Sequence, residues 1–290
     1  MDWLRNDTYE TQFEAMKSTL FDTDDLAKLS PIFRGNKGRF LAEVVMSFLA
    51  LNLINRVFSK VCHLRGAEFT SAWLNELNVK YTIENESILD RLPKGSFVTV
   101  SNHPFGFIDG IILMDIIIPK RPDYKFMVNS LLMSLYPLGD NLIGVKPTTT
   151  KSGSSIENGK GLKMTLRHLQ SGGSMGFFPA GAVSNYNEYR LKVTDREWQD
   201  TVVRMIQMAK VPVIPLFISG RNSLFFHFLG RINWQLRSIR FPYEILNKHR
   251  QKIRIVVGEP ILVEEQQRFQ NAAELAAYLR AQTNALGDRI

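Results

Sequence analysis

This sequence predicts an α/β fold: a mixed, largely parallel sheet flanked by helices, with an N-terminal helical extension. Three observations carry that reading. Between about residues 97 and 260, short β-rich runs alternate with helical segments, the pattern of layered sheets with parallel strands. Several runs, including Leu142–Val145, Val211–Ile218 and Ile253–Val257, are nearly continuous in apolar residues, as strands covered on both faces are. The helical segments between them are punctuated by Pro119 and by Gly172-Gly173, which stop helices.

Taken in order, residues 1–66 read as helical, ending near Gly66, and form a candidate extension; residues 67–290 form the main domain. Ala67–Leu77 reads as a helix and Lys80–Asn85 as a short strand. The turn Pro93-Lys94-Gly95 leads into a buried strand at Phe97–Ser101, and Asp109–Ile118 follows as a helix. Lys125–Val128 is a strand, Ser130–Tyr136 a helix and Leu142–Val145 a strand. Ile156–Gln170 carries helical periodicity through Leu162, Met164, Leu166 and Leu169, and Met175–Phe178 is a strand. Asp195–Lys210 reads as a helix with Asp195 as N-cap. Val211–Ile218 and Ile253–Val257 are strands, and Ala272–Leu286 is the closing helix.

The 290 residues show no internal repeat or long linker. The formal net charge of +8 fits attraction to phosphates or an anionic lipid face, as well as an ordinary basic surface. No run of like charges is long enough for a nucleic-acid-binding arm, so no nucleic-acid partner is expected. Cys62 is the only cysteine, which fits a reducing compartment, and Met1–Asp7 lacks an apolar signal core, so export is not expected. The most apolar stretch, Phe40–Phe58, is interrupted by Glu43, Ser47, Asn52, Asn55 and Arg56, whereas a membrane span wants roughly 20 mostly apolar residues. It reads as a buried core helix, or as one lying in a membrane interface between the basic flanks Lys37, Arg39, Arg56 and Lys60.

Three segments beyond strand ends carry candidate chemistry, and in open α/β sheets such ends hold ligands. In Asn102-His103-Pro104-Phe105-Gly106-Phe107-Ile108-Asp109-Gly110, a histidine and an aspartate can act together. A carboxylate on one imidazole nitrogen fixes the tautomer, and the other nitrogen then takes a proton from a hydroxyl. No serine or cysteine nucleophile is needed if the substrate's own hydroxyl attacks. The structural alternative is a loop histidine beside a helix-capping Asp109. Phe178-Pro179-Ala180-Gly181-Ala182-Val183-Ser184 is either a loop whose amides cradle a phosphate or an ordinary strand exit. Arg221 and Asn222 follow a third strand; Arg221 can grip a phosphate or carboxylate, and Phe225, Phe226 and Phe228 can line an acyl groove, face lipid or simply pack. Gly172-Gly173-Ser174-Met175-Gly176 matches G-x-S-x-G, but a helix precedes it and a strand follows, the reverse of a nucleophile elbow. His63, His168, His227 and His249 have no metal-ligand spacing, so no catalytic metal is expected.

The order Asn102-His103-Pro104…Asp109-Gly110, Gly144-Val145-Lys146, Phe178-Pro179-Ala180-Gly181 and Val211-Pro212-Val213-Ile214-Pro215 resembles the glycerolipid acyltransferases of the 1-acylglycerol-3-phosphate type. The bacterial haemolysin-like branch is the nearest in pattern, its fourth block corresponding to Pro212–Ser223, and the resemblance covers about residues 66–262. It implies transfer of a fatty acyl group from acyl-CoA or acyl-carrier protein, a co-substrate rather than a cofactor, to the hydroxyl of a lysolipid in membrane lipid biosynthesis. His103 would be the base and Asp109 its orienter. Asn102, Gly110, Lys146, Phe178, Pro179, Gly181 and Ser184 would line the acceptor side, and Pro215, Arg221 and Asn222 the acyl or donor side.

The resemblance also implies work at the cytoplasmic face of a membrane, peripherally or as a monotopic protein. The chain departs from the widespread third block F-P-E-G-T-R: Ala180 replaces the glutamate, no arginine follows, and Ala182 stands where the branch often has an acid. The acceptor is then lysophosphatidic acid or, as these departures suggest, a different lysolipid such as an amino-acid-containing one, with Arg190, Lys192 or Arg221 supplying charge. Two other functions remain compatible: a thioesterase or lipase using the same pair with water, and a non-catalytic lipid-binding or membrane-disrupting protein.

Overall fold

The computed structural model describes residues 17–145, 156–187 and 192–288. The chain divides into two compact units at His63/Leu64. Gly66 does not end a helix; with a φ of +50° it opens the next one.

In the first unit, α1 (Thr23–Leu29) is closed by a reciprocal capping box between Asp22 and Asp25. The apolar stretch expected as one helix is two, α2 (Gly35–Phe48) and α3 (Leu51–Val61), bent by 80° where Ala50 takes a left-handed φ of 58°. Asn55, one of the polar interruptions, binds the backbone: its Oδ1 accepts from Leu20 and Phe21 N–H, and its Nδ2 donates to the Phe21 carbonyl. Among the described residues no single helix is long and apolar enough to cross a membrane; only the bent pair α2–α3 meets that composition together. Phe40 and Phe48 are well exposed on it.

In the second unit the elements are α4 (Gly66–Glu76), β1 (Tyr81–Glu84), β2 (Val98–Ser101), α5 (Phe107–Ile117), β3 (Lys125–Asn129), β4 (Leu142–Val145), α6 (Ile156–Gln170), β5 (Met175–Phe177), β6 (Asn185–Asn187), β7 (Lys192–Thr194), α7 (Asp200–Ala209), β8 (Val213–Ile218), α8 (Leu224–Ile232), α9 (Trp234–Leu246), β9 (Ile253–Val257), α10 (Val263–Gln266) and α11 (Ala272–Gly287). Seven strands form one sheet in the order β1-β9-β8-β2-β5-β3-β4, with every pairing parallel except β8–β9. The α/β class and the largely parallel sheet follow the sequence expectation. β2 is buried along its length although its residues alternate apolar and polar; the buried Thr99 hydroxyl bonds the Tyr124 hydroxyl and the Ser101 hydroxyl donates to the Asn102 carbonyl. α5 is apolar on nearly every side and correspondingly sits inside, with Ile108, Ile111, Ile112, Leu113, Ile116 and Ile117 buried.

Three expectations change. Residues 130–136 are not an α-helix but part of two consecutive 3₁₀ turns, Ser130–Ser134 and Tyr136–Asn141; Pro137 cannot supply the amide that a continuous helix would use there. The seventh helix starts at Asp200, not Asp195, and its N-cap is Gln199 without a side-chain hydrogen bond. Asp195 does not cap because its carboxylate is engaged elsewhere. The small β6–β7 hairpin and the α8–α9 pair had no counterpart in the sequence reading.

Candidate active site

β8, β2 and β5 are adjacent and parallel, with Val100 of β2 opposite both Phe177 and Pro215. Their carboxyl ends therefore lie side by side. His103 follows β2, Pro179 follows β5 and Ser219–Asn222 follow β8, so three segments distant in sequence meet at one edge of the sheet.

The chain leaves β2 through Asn102, whose amide is wholly engaged: Nδ2 donates to the Ile218 carbonyl at 2.8 Å and Oδ1 accepts from the Ile218 N–H at 2.7 Å. Asn102 thus clamps the ends of β2 and β8 together. His103 follows with its Nδ1 2.9 Å from Asp109 Oδ2. The same oxygen accepts from the backbone N–H of Phe105 at 2.9 Å and of Gly106 at 2.8 Å. Asp109 is therefore not the N-cap but the third residue of α5, reaching back to the chain before the helix as a capping-box acid does. Five residues separate it from His103, and the first turn of α5 takes up that length. Burial pushes its carboxyl above the usual carboxylate range, against the lowering by His103 and the two backbone donors.

The other imidazole face is covered. The Phe178 ring stacks on His103 at 3.8 Å between centroids and 17° between planes, and packs in turn against Phe126. Gly110 lies across from Phe178, leaving room for its edge. The His103 ring is thus held by a carboxylate at Nδ1 and by an aromatic plate, with Nε2 as the remaining nitrogen. A proton on Nδ1 facing that carboxylate leaves Nε2 as the nitrogen able to accept one.

Gly106 takes φ +95°, and a Cβ there would stand 2.2 Å from Phe241 Cζ and 3.1 Å from Val183. Both the dihedral and the space demand glycine. We expect Gly106→Ala to cost about 2 kcal/mol or more through backbone strain and the clash with Phe241. A shifted urea midpoint at constant slope would show it; an unchanged midpoint would mean that α9 yields without cost.

Asp195 is the residue the sequence reading misplaced. It is buried, and its Oδ1 accepts from the His103 backbone N–H at 3.1 Å and from the Ser184 hydroxyl, while Oδ2 accepts from the Trp198 indole at 3.4 Å. Ser184 N–H also donates to the His103 carbonyl. Asp195 and Ser184 together fasten the loop after β5 to the histidine. The only sequence signal was an acid preceding a helix, which is also what a cap looks like.

The loop after β5 turns at Gly181, where φ is +62° and a Cβ would meet the Gln199 amide at 2.2 Å. The Pro179 carbonyl accepts from Gln199 N–H. Arg196 donates from Nε to the Ala180 carbonyl at 2.8 Å and from Nη2 to that of Gly181 at 3.1 Å. Arg237 of α9 donates to Asn185 Oδ1 and lies over the Phe226 ring. Burial and the neighbouring Arg196 both hold the Arg237 pKa below its ordinary value. Neither arginine has an acidic partner among the described residues. Two cations therefore share this loop where the family pattern carries acids.

Of the other expected site residues, Asn222 is buried and donates to the Phe105 carbonyl at 3.3 Å, which places it beneath the His103 loop. Arg221 has an exposed side chain, and its carbonyl accepts from Gln251. Pro215 lies within β8 against Gly258, lining a cleft that contains none of the other expected residues. Lys192 is exposed on β7, and Lys146 and Arg190 lie outside the described residues. Of the histidines read as structural, His168 bonds the Asp123 carbonyl, and His227 is buried, with its pKa pushed down to about 4 by that burial and by Arg237.

α9 closes the site from above. Phe241 packs against Gly106. Glu244 accepts from Ser223 N–H at 3.0 Å and Ser223 Oγ at 2.6 Å, and pairs with Lys248 at 2.8 Å. The Lys248 ammonium lies 5.2 Å from the centroid of the Phe105 ring. Both side chains of this ion pair are fully buried.

Comparison with known proteins gives a consistent picture. A family model described as acyltransferase matches residues 26–290. The chain is 27% identical over 270 residues to a lyso-glycine lipid O-acyltransferase of Phocaeicola vulgatus, covering 88% of this chain and 92% of that one. It is 26% identical over 252 residues to a protein of the same name from Bacteroides thetaiotaomicron, covering 83% and 88%. Its fold is similar to the crystal structure of the 1-acyl-sn-glycerophosphate acyltransferase PlsC of Thermotoga maritima, with a TM-score of 0.51 at 14% identity, over 86% of this chain and 88% of that one.

Proposed function

This chain belongs to the acyltransferase family, and from that premise we propose that it moves a fatty acyl group from a thioester, acyl-CoA or acyl-carrier protein, to the hydroxyl of an amino-acid-containing lysolipid at a membrane surface. The observation that carries the chemistry is the 2.9 Å contact of His103 Nδ1 with the buried Asp109. His103 Nε2 takes the proton of the acceptor hydroxyl as its oxygen attacks the thioester carbonyl carbon. The carbon–sulfur bond then breaks, and the proton passes from the imidazolium to the leaving thiolate. Asp109 stabilises the imidazolium between the two transfers. The products are the acylated lipid and a free thiol carrier.

The acceptor class rests on two supports. The relatives are named for a lyso-glycine lipid, and an N-acylated glycine keeps a free carboxylate. Arg196, bonded to the loop after β5, and Arg237 of α9, bonded to Asn185, have the chemistry to receive it, guanidinium groups being suited to bidentate carboxylate recognition. The test is to supply purified protein and acyl-CoA with lyso-glycine lipid, with lysophosphatidic acid, or with no acceptor. O-acylated glycine lipid is the expected product. Equal release of free fatty acid with and without acceptor would instead identify a thioesterase. Arg237→Met should raise KM for the carboxylate acceptor about tenfold, the worth of one charge-assisted hydrogen bond, with a smaller change in kcat. The methyl ester of the acceptor should not distinguish Arg237→Met from the parent; if it does, the arginine is structural.

A further inference from the structure

The α8–α9 pair has two unlike sides. One closes over the site: Phe226 and His227 are buried, Phe241 meets Gly106 and Glu244 is buried against Ser223. The other holds large apolar side chains in water. Leu224, Phe228 and Ile232 follow one another at helical spacing on α8, at 66%, 56% and 59% exposure. Phe225 beside them is 52% exposed, and Trp234, at the start of α9, is 68% exposed. Contiguous apolar surface of this kind marks an interaction site.

The charge around it selects the partner. From Thr201 to Tyr243 the chain has no acidic residue, while Arg221, Arg231, Arg237 and Arg240 fall within or beside the pair. The next acid, Glu244, is fully buried and neutralised by Lys248. The Arg240 guanidinium itself lies over the rings of Phe225 and Tyr243, 5.5 and 4.4 Å from their centroids, which keeps a cation beside the exposed aromatic face. Aromatic and aliphatic side chains on one face with only cations at the margin match the boundary layer of an anionic bilayer.

We infer that the exposed face of α8–α9 is a membrane-contact surface, carried by the catalytic unit itself and fitted to an anionic lipid bilayer. It rests on the reading that the acceptor is a membrane lysolipid. Because the inner face of the same two helices covers Gly106 and the His103 loop, seating the outer face in lipid sets the site beside the bilayer that holds the acceptor.

The experiment uses the full chain with vesicles of phosphatidylcholine and phosphatidylglycerol whose acyl chains carry bromine, which quenches nearby indoles. Of the four tryptophans, Trp73 and Trp198 are buried, Trp234 is exposed and Trp3 lies outside the described residues, so all proteins compared carry Trp3→Phe. Vesicles should quench part of the tryptophan emission of the parent, and that part should vanish in Trp234→Phe. Phe225→Ser/Phe228→Ser should weaken binding to anionic vesicles about tenfold or more, and phosphatidylcholine alone should bind the parent less well. Equal quenching in Trp234→Phe, unchanged affinity of the double variant, or a dimer that keeps Trp234 away from lipid would each overturn the proposal. His103→Ala should bind vesicles as the parent does. Parent protein that vesicles quench but that transfers no acyl group sinks the enzymatic reading alone, and parent protein that transfers without quenching sinks only the surface.

Discussion

Replacing His103 by alanine is expected to lower kcat for acyl transfer by about 10²–10⁴-fold, the usual contribution of a positioned general base. KM should change little, because the imidazole handles the proton rather than holding the lipid. The protein should stay folded: what secures the loop at this position is backbone, with the His103 N–H on Asp195 and its carbonyl on Ser184, and alanine keeps both. Circular dichroism and a urea melt check the fold, and turnover with lyso-glycine lipid checks the chemistry. Asp109→Asn separates two roles of the carboxylate. An amide oxygen can still accept from Phe105 and Gly106 N–H, so the loop should survive. It cannot stabilise an imidazolium as a carboxylate does, so kcat should fall with a smaller loss than in His103→Ala. Full activity in His103→Ala would remove the proposed mechanism.

Removing the carboxylate of Glu244 is expected to be the most destabilising of these changes. Glu244→Ala leaves the fully buried Lys248 ammonium without its partner, and breaking a buried pair from one side costs about 3–5 kcal/mol. It also strips Ser223 of both its backbone and hydroxyl acceptor. Replacing both partners, as in Glu244→Met/Lys248→Met, should recover much of the loss because no orphan charge remains. Burial works against the ionisation of Glu244, but the hydrogen bonds from Lys248 and Ser223 outweigh it and leave its pKa lowered. A depressed carboxyl pKa gives stability that is present above the unfolded value, about 4.3, and is lost as pH falls through the folded one. The gap between parent and Glu244→Ala in urea midpoint should therefore be constant near neutrality and narrow in acid below about pH 4. A gap that widens in acid, or a double variant no better than Glu244→Ala, would show that the pair is not what stabilises this corner.

Both experiments concern one corner, because Lys248 stacks on Phe105, whose N–H binds Asp109. The sequence exposed one half of this arrangement and hid the other. His103 and Asp109 were legible because a histidine beyond a buried strand and an acid at a helix start are local features. Glu244 and Lys248 were not, since an acid and a lysine four residues apart read as a solvated helix pair until burial is known. Asp195 shows the same limit from the other side. Its position before a helix was read as a cap, while the fold uses the carboxylate to join Ser184 to the His103 backbone across a long sequence separation. The α8–α9 pair escaped notice because apolar residues lie on both of its sides and Pro242 sits within it.

By itself the sequence determined the class of the fold and singled out His103 and Asp109 as the proposed base and its orienter. Buried parallel strands must be apolar runs, and a loop beyond such a strand announces its own chemistry. Only the tertiary structure decided what holds that chemistry in place: the Phe178 plate on His103, the space reserved at Gly106 by Phe241, the knot at Asp195, and Arg196 on the Ala180 and Gly181 carbonyls. The physical reason is range. Strand and helix patterns arise between neighbours in the chain, whereas each of these contacts joins segments whose nearness depends on strand order, and strand order is fixed by the packing of the whole sheet.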